Sequence, residues 1–282
     1  MEAFIEILKA ILIGIVQGIT EWLPVSSTGH MILVEEFINL NVSKEFKELF
    51  EVVIQFGSIL AVIIVFFDKL NPFSKKKDEV MKKKTWSLWF KVIVAVIPAA
   101  VIGLILDDWF QARFYNYIAV SIALIVYGIL FIVIERANRN KSKKYEDVYE
   151  IDYPTAVKIG CFQVLSLIPG TSRSGSTILG ASLVGVSRTA AAEFSFFLAI
   201  PVMLGASAYK LLKYIVKVGI SFTSTEILVM VIGVLTSFLV SLVVIKFLMD
   251  FVRRHSFESF GWYRIVLGSA VIIYFVCKNF NF

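Results

Sequence analysis

Long apolar stretches dominate this sequence, and two of them are broken by proline. Six unbroken runs are candidates for membrane spans, at residues 52–67, 92–106, 117–134, 194–212, 227–247 and 265–276. Two further stretches, 3–40 and 153–186, are interrupted at Pro24 and Pro169. Proline pushes the preceding residue out of helical geometry, and non-helical backbone at membrane depth is tolerated only where it lines a cavity. Each broken stretch is therefore predicted to form a re-entrant helical hairpin.

The composition indicates a membrane protein. Of 282 residues, 58% are hydrophobic, and the mean hydropathy is +0.80, whereas soluble domains contain about 45–50% apolar residues. The net charge of +6 is concentrated at 69–84 and 136–144. No aromatic side chains alternate with these basic runs, so we interpret them as solvated loops and not as a nucleic-acid site. The positive-inside rule places them in the cytoplasm and both termini outside.

The order of segments indicates an internal repeat. Gly14-x-x-Gln17 precedes the Pro24 loop, Gly160-x-x-Gln163 precedes the Pro169 loop, and three spans follow each hairpin. Because three is an odd number, the second unit must be inverted. We predict an all-α membrane protein with six transmembrane helices and two re-entrant hairpins, arranged as an inverted repeat. Residues 1–135 and 153–282 form the repeats, and 136–152 form a basic cytoplasmic linker. Such repeats place a site between broken helices near the bilayer midplane.

The first hairpin carries ionisable and hydroxyl side chains beside its break. Gln17 and Glu21 are four residues apart and share a helix face. Ser26, Ser27 and Thr28 follow the break, where free N–H groups and the helix dipole favour an anion. These hydroxyls could simply cap a helix, and His30 could be structural. Ionisable residues within a membrane segment nevertheless favour a functional role.

The second hairpin places a guanidinium among small residues. Arg173 stands within Pro169-Gly170-Thr171-Ser172-Arg173-Ser174-Gly175-Ser176-Thr177. Its planar fork matches phosphate. The alternative is an arginine that snorkels to the interface, although the surrounding loop favours anion binding. The segment from Gly170 is similar to a P-loop, but Ser176 replaces the required lysine, so nucleotide binding is rejected.

Together, the two motifs resemble those of a known enzyme family. The segment Gln17-Gly18-Ile19-Thr20-Glu21-Trp22-Leu23-Pro24-Val25-Ser26-Ser27-Thr28-Gly29-His30 and the Pro169–Thr177 motif closely resemble the undecaprenyl-diphosphate phosphatases linked to bacitracin resistance. The resemblance covers nearly the whole chain. It implies a bacterial inner-membrane enzyme that removes one phosphate from the C55 carrier lipid for peptidoglycan synthesis, assisted by divalent cations. The family accepts Glu or Gln at position 17, so Gln17 fits the pattern but weakens any role for that position as a general base or a charged metal ligand.

The resemblance and the residue chemistry give each side chain an expected role. Ser27 attacks phosphorus with His30 as base and later acid, Glu21 helps to hold Mg²⁺ or Ca²⁺, and Arg173 stabilises phosphate charge. Substrate-binding residues are expected to be Gln17, Ser26, Thr28, Gly170, Ser172, Ser174 and Thr177. The expected partners are the polyprenyl diphosphate and bilayer lipids; the oligomeric state, including a homodimer, is left open.

Three alternatives stay open at this point. His30 could be the nucleophile, and water could attack directly. Thr28-Gly29-His30 and Ser172-Arg173 are similar to fragments of lipid phosphatases related to phosphatidic acid phosphatase. Those enzymes need a second histidine after the Ser-Arg pair, and in this chain none follows Arg173 until His255, so we interpret the likeness as convergent.

The third alternative concerns the function. A transporter or flippase for a phosphorylated polyprenyl lipid would share inverted repeats and broken helices.

Overall fold

A computed structural model describes residues 2–280, and this part of the chain is helical, without any β-strand. The helices are α1 (Glu2–Thr20), α2 (Ser27–Phe37), α3 (Lys44–Val65), α4 (Phe67–Leu70), α5 (Glu79–Phe114), α6 (Tyr117–Asn138), α7 (Tyr153–Val164), α8 (Arg173–Leu183), α9 (Arg188–Val218), α10 (Ser224–Arg254) and α11 (Glu258–Phe280). Short 3₁₀ turns cover Val148–Glu150 and Leu165–Leu167.

Seven helices within residues 2–280 are long and apolar enough to cross a bilayer. Five of them contain the predicted spans from 92–106 onward, α3 contains the first predicted span as far as Val65, and the seventh is the Ala3–Thr20 part of α1. The sequence predicts that this segment is one arm of a hairpin. Length and hydropathy do not distinguish a span from one arm of a hairpin, because both are apolar helices. The chain is a multi-pass membrane protein.

The helices extend well beyond the predicted spans. α5 runs for 36 residues through Pro98, and α9 runs for 31 residues through Pro201. At 1.5 Å per residue, α5 is roughly 54 Å long, more than the ~30 Å hydrocarbon core. The predicted bounds were too short because an apolar run marks only the part of a helix that avoids water, whereas backbone hydrogen bonding continues into the interface.

Small residues allow close helix packing in the membrane. α1 packs on α10, α7 on α5, α3 on α9, and α6 on α11. Where α6 crosses α11, a Cβ atom on Gly128 would lie 2.7 Å from the Gly261 carbonyl oxygen, and a Cβ atom on Gly261 would lie 2.7 Å from that of Gly128. Contacts this close require glycine on both helices, as is common in membrane helix pairs.

Both predicted breaks are present. The chain leaves α1 after Thr20 and begins α2 at Ser27, and it leaves the second 3₁₀ turn before beginning α8 at Arg173. α2 and α8 both contact α6, and α2 also contacts α11. These contacts bring the loop between α1 and α2 (the first tip, residues 21–26) close to the loop before α8 (the second tip, residues 168–172).

Candidate active site

The two tips end in the same unusual backbone geometry. Ser26 has φ 72° and Ser172 has φ 75°, and each serine caps the following helix. The Ser26 hydroxyl accepts the Gly29 N–H at 3.3 Å, and the Ser172 hydroxyl accepts the Gly175 N–H at 3.1 Å. A positive φ costs a non-glycine residue about 1–3 kcal/mol, and such residues cluster at functional sites. The helix-capping alternative therefore applies to Ser26, which caps α2 in a strained conformation, and Ser172 caps α8 in the same way.

The matching caps have the same register as the repeated Gly-x-x-Gln segments. Gln17 and Ser26 are nine residues apart, and so are Gln163 and Ser172. In this register Pro24 corresponds to Gly170, because Pro24 stands two residues before Ser26, whereas Pro169 stands three residues before Ser172. The helix caps set the register because they fix the backbone, whereas each proline only ends the preceding helix.

Glu21 contacts residues of both motifs. Its side chain is buried, with Oε2 accepting the Gln17 Nε2 amide at 2.8 Å and the Ser27 hydroxyl at 3.4 Å. Its other oxygen, Oε1, accepts Arg173 Nη2 at 3.4 Å. The structure thus brings together Gln17, Glu21, Ser27 and Arg173, three from the first motif and one from the second. Ser27 is only half-buried, so one side of this cluster is accessible.

Arg173 retains hydrogen-bonding capacity for an anion. Its side chain is 10% exposed, and Nη1 donates to the Ser195 carbonyl oxygen at 2.7 Å. The guanidinium lies over the Trp22 ring at 5.8 Å, and Nε has no partner among the described residues. The 3.4 Å contact with Glu21 is longer than the 2.7–2.9 Å typical of a charge-assisted hydrogen bond. A buried cation with free donors is suited to bind phosphate oxygens.

The hydroxyls of the second motif bind protein groups in this conformation. Ser174 Oγ lies 3.3 Å from the carbonyl oxygens of both Glu21 and Leu23, so it links the two tips. Ser172 Oγ lies 3.1 Å from Ser174 Oγ. Thr177 donates to the Arg173 carbonyl oxygen at 2.9 Å. These contacts hold Arg173 in place, and direct substrate binding by the three hydroxyls stays a prediction.

Gly170 has a packing reason to be glycine. Its φ is 93°, and a Cβ atom there would lie 2.6 Å from the Val120 carbonyl oxygen of α6. Any side chain would therefore meet backbone and adopt a strained conformation. A role in binding substrate stays a prediction for this residue.

Arg264 on α11 contacts both tips but was not among the predicted site residues. Its side chain is fully buried; Nη1 donates to the Pro24 carbonyl oxygen at 3.1 Å, and Nη2 donates to those of Gly170 and Thr171 at 2.8 and 2.9 Å. One guanidinium therefore ties both tips to α11. The predicted span began at residue 265 and excluded it, although the rule that charged residues in apolar segments are functional would have selected it.

His30 is held at both ring nitrogens. Nδ1 lies 2.8 Å from the Ser26 carbonyl oxygen, and Nε2 lies 2.6 Å from the Tyr263 hydroxyl. The hydrogen bonds of the described residues do not include one between His30 and Ser27, so the base role stays a prediction. Thr28 is half-buried in the first turn of α2 beside them, and its contact with substrate also stays a prediction.

Comparison with known proteins identifies the family to which this chain belongs. The family model described as Bacitracin resistance protein BacA matches residues 10–270. The chain belongs to the BacA family. The match includes both motifs and Arg264, and it confirms the family resemblance expected from the motifs.

Bacterial relatives of this BacA-family chain are similar over nearly their full length. An undecaprenyl-diphosphatase of Enterococcus faecalis is 58% identical, covering 96% of this chain and 97% of the relative. Undecaprenyl-diphosphatase 1 of Clostridioides difficile is 60% identical, covering 98% and 99%. Undecaprenyl-diphosphatase 1 of Clostridium acetobutylicum is 58% identical, covering 96% and 98%.

Proposed function

We propose that this BacA-family chain hydrolyses undecaprenyl diphosphate to undecaprenyl phosphate and inorganic phosphate. The observation that carries the proposal is the meeting of Arg173 and Ser27 at Glu21, which gives one site a phosphate-binding cation and a nucleophile. The names of the relatives agree with this chemistry. The reaction returns the carrier lipid to cell-wall synthesis, and a role in bacitracin resistance fits the family description.

The lipid diphosphate binds with its tail in the bilayer and its head at the two tips. Arg173 Nε and the N–H groups at the start of α8 and α2 are donors for the terminal phosphate. Ser27 and His30 are half-buried, which allows a headgroup to reach them. Donors fixed in advance stabilise the charge that develops as the phosphorus–oxygen bond breaks.

Ser27 is the proposed nucleophile. Its oxygen forms a bond to the terminal phosphorus while the bond to the oxygen of undecaprenyl phosphate breaks, and His30 takes the Ser27 proton. Water then cleaves the phosphoserine, releases inorganic phosphate and restores the hydroxyl. For this step His30 Nε2 must exchange its Tyr263 partner for Ser27. Attack by His30 itself and direct attack by water are the competing assignments.

Glu21 fits a role in holding Mg²⁺ or Ca²⁺ together with the substrate. The described residues contain no cluster of three metal-ligating side chains, and Mg²⁺ is commonly bound by one or two carboxylates plus substrate phosphates. Glu21 is the carboxylate at this site, and its two oxygens face Arg173 and Ser27. A bound ion would neutralise charge on the diphosphate oxygens.

The proposed architecture has six spans and two re-entrant hairpins in an inverted repeat. The two repeats correspond helix by helix: α1 to α7, α3 to α9, α5 to α10, and α6 to α11. Exchanging corresponding helices converts the α1–α10 pair into the α7–α5 pair, which is also in contact. The same exchange leaves the α3–α9 and α6–α11 pairs unchanged. The matching caps at Ser26 and Ser172 support the same symmetry. The division into repeats at 1–135 and 153–282 follows from it.

We place the protein in the bacterial inner membrane with its site facing the extracytoplasmic side. The basic loops at 69–84 and 136–144 support this orientation. The first hairpin then opens outward with His30 and Ser27. The oligomeric state does not enter the proposed chemistry, because both hairpins come from one chain.

A flippase for a phosphorylated polyprenyl lipid is the second candidate, favoured by the broken helices and their exchangeable packing. Phosphate release from undecaprenyl diphosphate by purified protein in detergent separates the two, because detergent has no compartments to transport between. The phosphatase should release phosphate with time, and EDTA should slow it. If there is no release at any metal concentration, the flippase is favoured.

A further inference from the structure

His30 contacts an aromatic side chain that neither motif contains. Its Nε2 lies 2.6 Å from the hydroxyl oxygen of Tyr263, 233 residues further along the chain. The two rings are within 9° of parallel, with centroids 5.6 Å apart. Tyr263 is 47% exposed, so its ring contributes little to the protein core, while its hydroxyl is directed at His30.

The Ser26 carbonyl oxygen determines which nitrogen of His30 carries the proton. That oxygen lies 2.8 Å from Nδ1, and a carbonyl oxygen can only accept, so Nδ1–H must be the donor. In a neutral imidazole Nε2 then carries the lone pair, and the Tyr263 hydroxyl donates to it. The basic nitrogen of His30 therefore faces α11.

Arg264 fixes α11 relative to His30. It follows Tyr263 directly, and its buried guanidinium bonds to the Pro24 and Gly170 carbonyl oxygens of both tips. Hydrogen bonds from a charged group to buried carbonyls are strong, so α11 cannot shift without breaking them. The Tyr263 hydroxyl is thus held in register with the imidazole by the same helix that ties the tips together.

We propose that Tyr263 is a positioning residue for His30, holding the imidazole in the Nδ1–H tautomer with Nε2 as its basic atom. This inference rests on the proposed phosphatase function and deepens it. A base must present its lone pair within hydrogen-bond reach of the proton that it takes, and an imidazole held at both nitrogens cannot flip. The attacking O–H displaces the Tyr263 hydroxyl and transfers its proton to Nε2. The phenol oxygen then accepts from Nε2–H, because a phenol both donates and accepts.

The chain offers a direct spectroscopic test because it contains only two histidines. Replacing His255 by glutamine leaves His30 as the only imidazole, and ¹⁵N-histidine labelling then reports its tautomer in detergent. In this background Tyr263→Phe keeps the ring and removes the hydroxyl. Tyr274→Phe is the matched control on the same helix, where Tyr274 packs by its ring against Phe37 and Phe275. Thermal unfolding of each variant checks that the fold is kept.

With Tyr263 present, and in the control, we expect one tautomer with the proton on Nδ1. Tyr263→Phe removes the contact at Nε2 and lets the imidazole turn away from the Ser26 carbonyl oxygen, so the second tautomer should appear. The same change should lower kcat for phosphate release on the order of tenfold or more and leave KM within about twofold. The acid limb of the pH profile should move by about half a unit or more. An unchanged tautomer, or an unchanged kcat and pH profile, would overturn the positioning role. Absence of phosphate release by the wild-type chain would instead overturn the phosphatase function, while the tautomer comparison still decides whether Tyr263 holds His30.

Discussion

At the residue scale, the charge and the shape of Arg173 can be tested separately. Arg173→Lys keeps the charge and loses the planar fork, so the contacts with Ser195 and an incoming phosphate cannot both be kept. We expect turnover to fall on the order of 10²-fold or more, as for loss of an oxyanion donor. Steady-state phosphate release measures this, with the exposed Arg254→Lys as control. Near-normal turnover would make Arg173 a structural residue that contacts Ser195 and Glu21, without a role in phosphate binding.

Glu21→Gln tests the proposed carboxylate ligand. Glutamine can still accept the Gln17 amide, so packing is kept while the charge is lost. We expect turnover to collapse and its response to added Mg²⁺ or Ca²⁺ to weaken, because hard cations prefer charged oxygen ligands. Titrating each cation against phosphate release checks this, with the exposed Glu79→Gln as control. A metal titration identical to that of the wild-type chain would remove Glu21 from the metal site.

The attacking group can be identified chemically. Ser27→Ala and His30→Ala should both lose most activity under either mechanism, so the experiment is to quench the enzyme during turnover of lipid labelled on its terminal phosphate. An adduct that is stable to acid and labile to base supports Ser27. An acid-labile, base-stable adduct that survives Ser27→Ala would make His30 the nucleophile. Absence of any adduct would indicate direct attack by water, with Ser27 only a phosphate ligand.

Only part of the site could be predicted from local sequence. Glu21, Ser27 and Arg173 stand out because polar groups beside a helix break in apolar sequence have few structural explanations. Tyr263 and Arg264 stand out far less, because they lie at the edge of an apolar run without any break or motif. Their contacts depend on the packing of α11 on α6 and on the hairpin tips, which no local spacing encodes.

At the scale of elements, the breaks and the positions of the six apolar runs were predictable, whereas the lengths of the helices were not. Proline and glycine act on their own backbone, so the ends of α1 and α7 follow from the sequence. Helix length instead depends on where polar ends remain solvated. The sequence also does not distinguish whether α1 is a membrane span or one arm of a hairpin, because both contain the same kinds of residues. Their difference lies in the partner helices, here α10 and α2.

Gly170 in the second tip is expected to be required for thermal stability. Gly170→Ala places a methyl group 2.6 Å from the Val120 carbonyl oxygen at a φ of 93°, so we expect a lower thermal unfolding temperature and a loss of activity. Gly205→Ala is the matched control, because a Cβ atom there meets nothing within 4 Å, and alanine favours a helix by about 1 kcal/mol. Fluorescence-monitored unfolding in detergent compares the two. Equal melting temperatures would show that the second tip tolerates a side chain.

At the scale of the whole molecule, the site exists only because two distant parts of the chain meet. Glu21 and Arg173 are 152 residues apart in sequence, and their contact needs the two tips to lie side by side. Arg264 supports this arrangement from a third element. Positive φ values such as those of Ser26 and Ser172 persist only where surrounding contacts hold the backbone, and the bonds from Arg264 to both tips are contacts of this kind.

Orientation is the remaining prediction at this scale. The segment 69–84 contains seven lysines, whereas the loop between α9 and α10, residues 219–223, contains no charged residue. The positive-inside rule therefore places 69–84 in the cytoplasm and 219–223 outside. With Cys161 and Cys277 replaced by alanine, a cysteine at Ser221 should react with an impermeant thiol reagent in intact cells. A cysteine at Ser74 should react only after permeabilisation. The reverse pattern would turn the first hairpin, and with it Ser27 and His30, towards the cytoplasm, and hydrolysis would then take place on the inner leaflet.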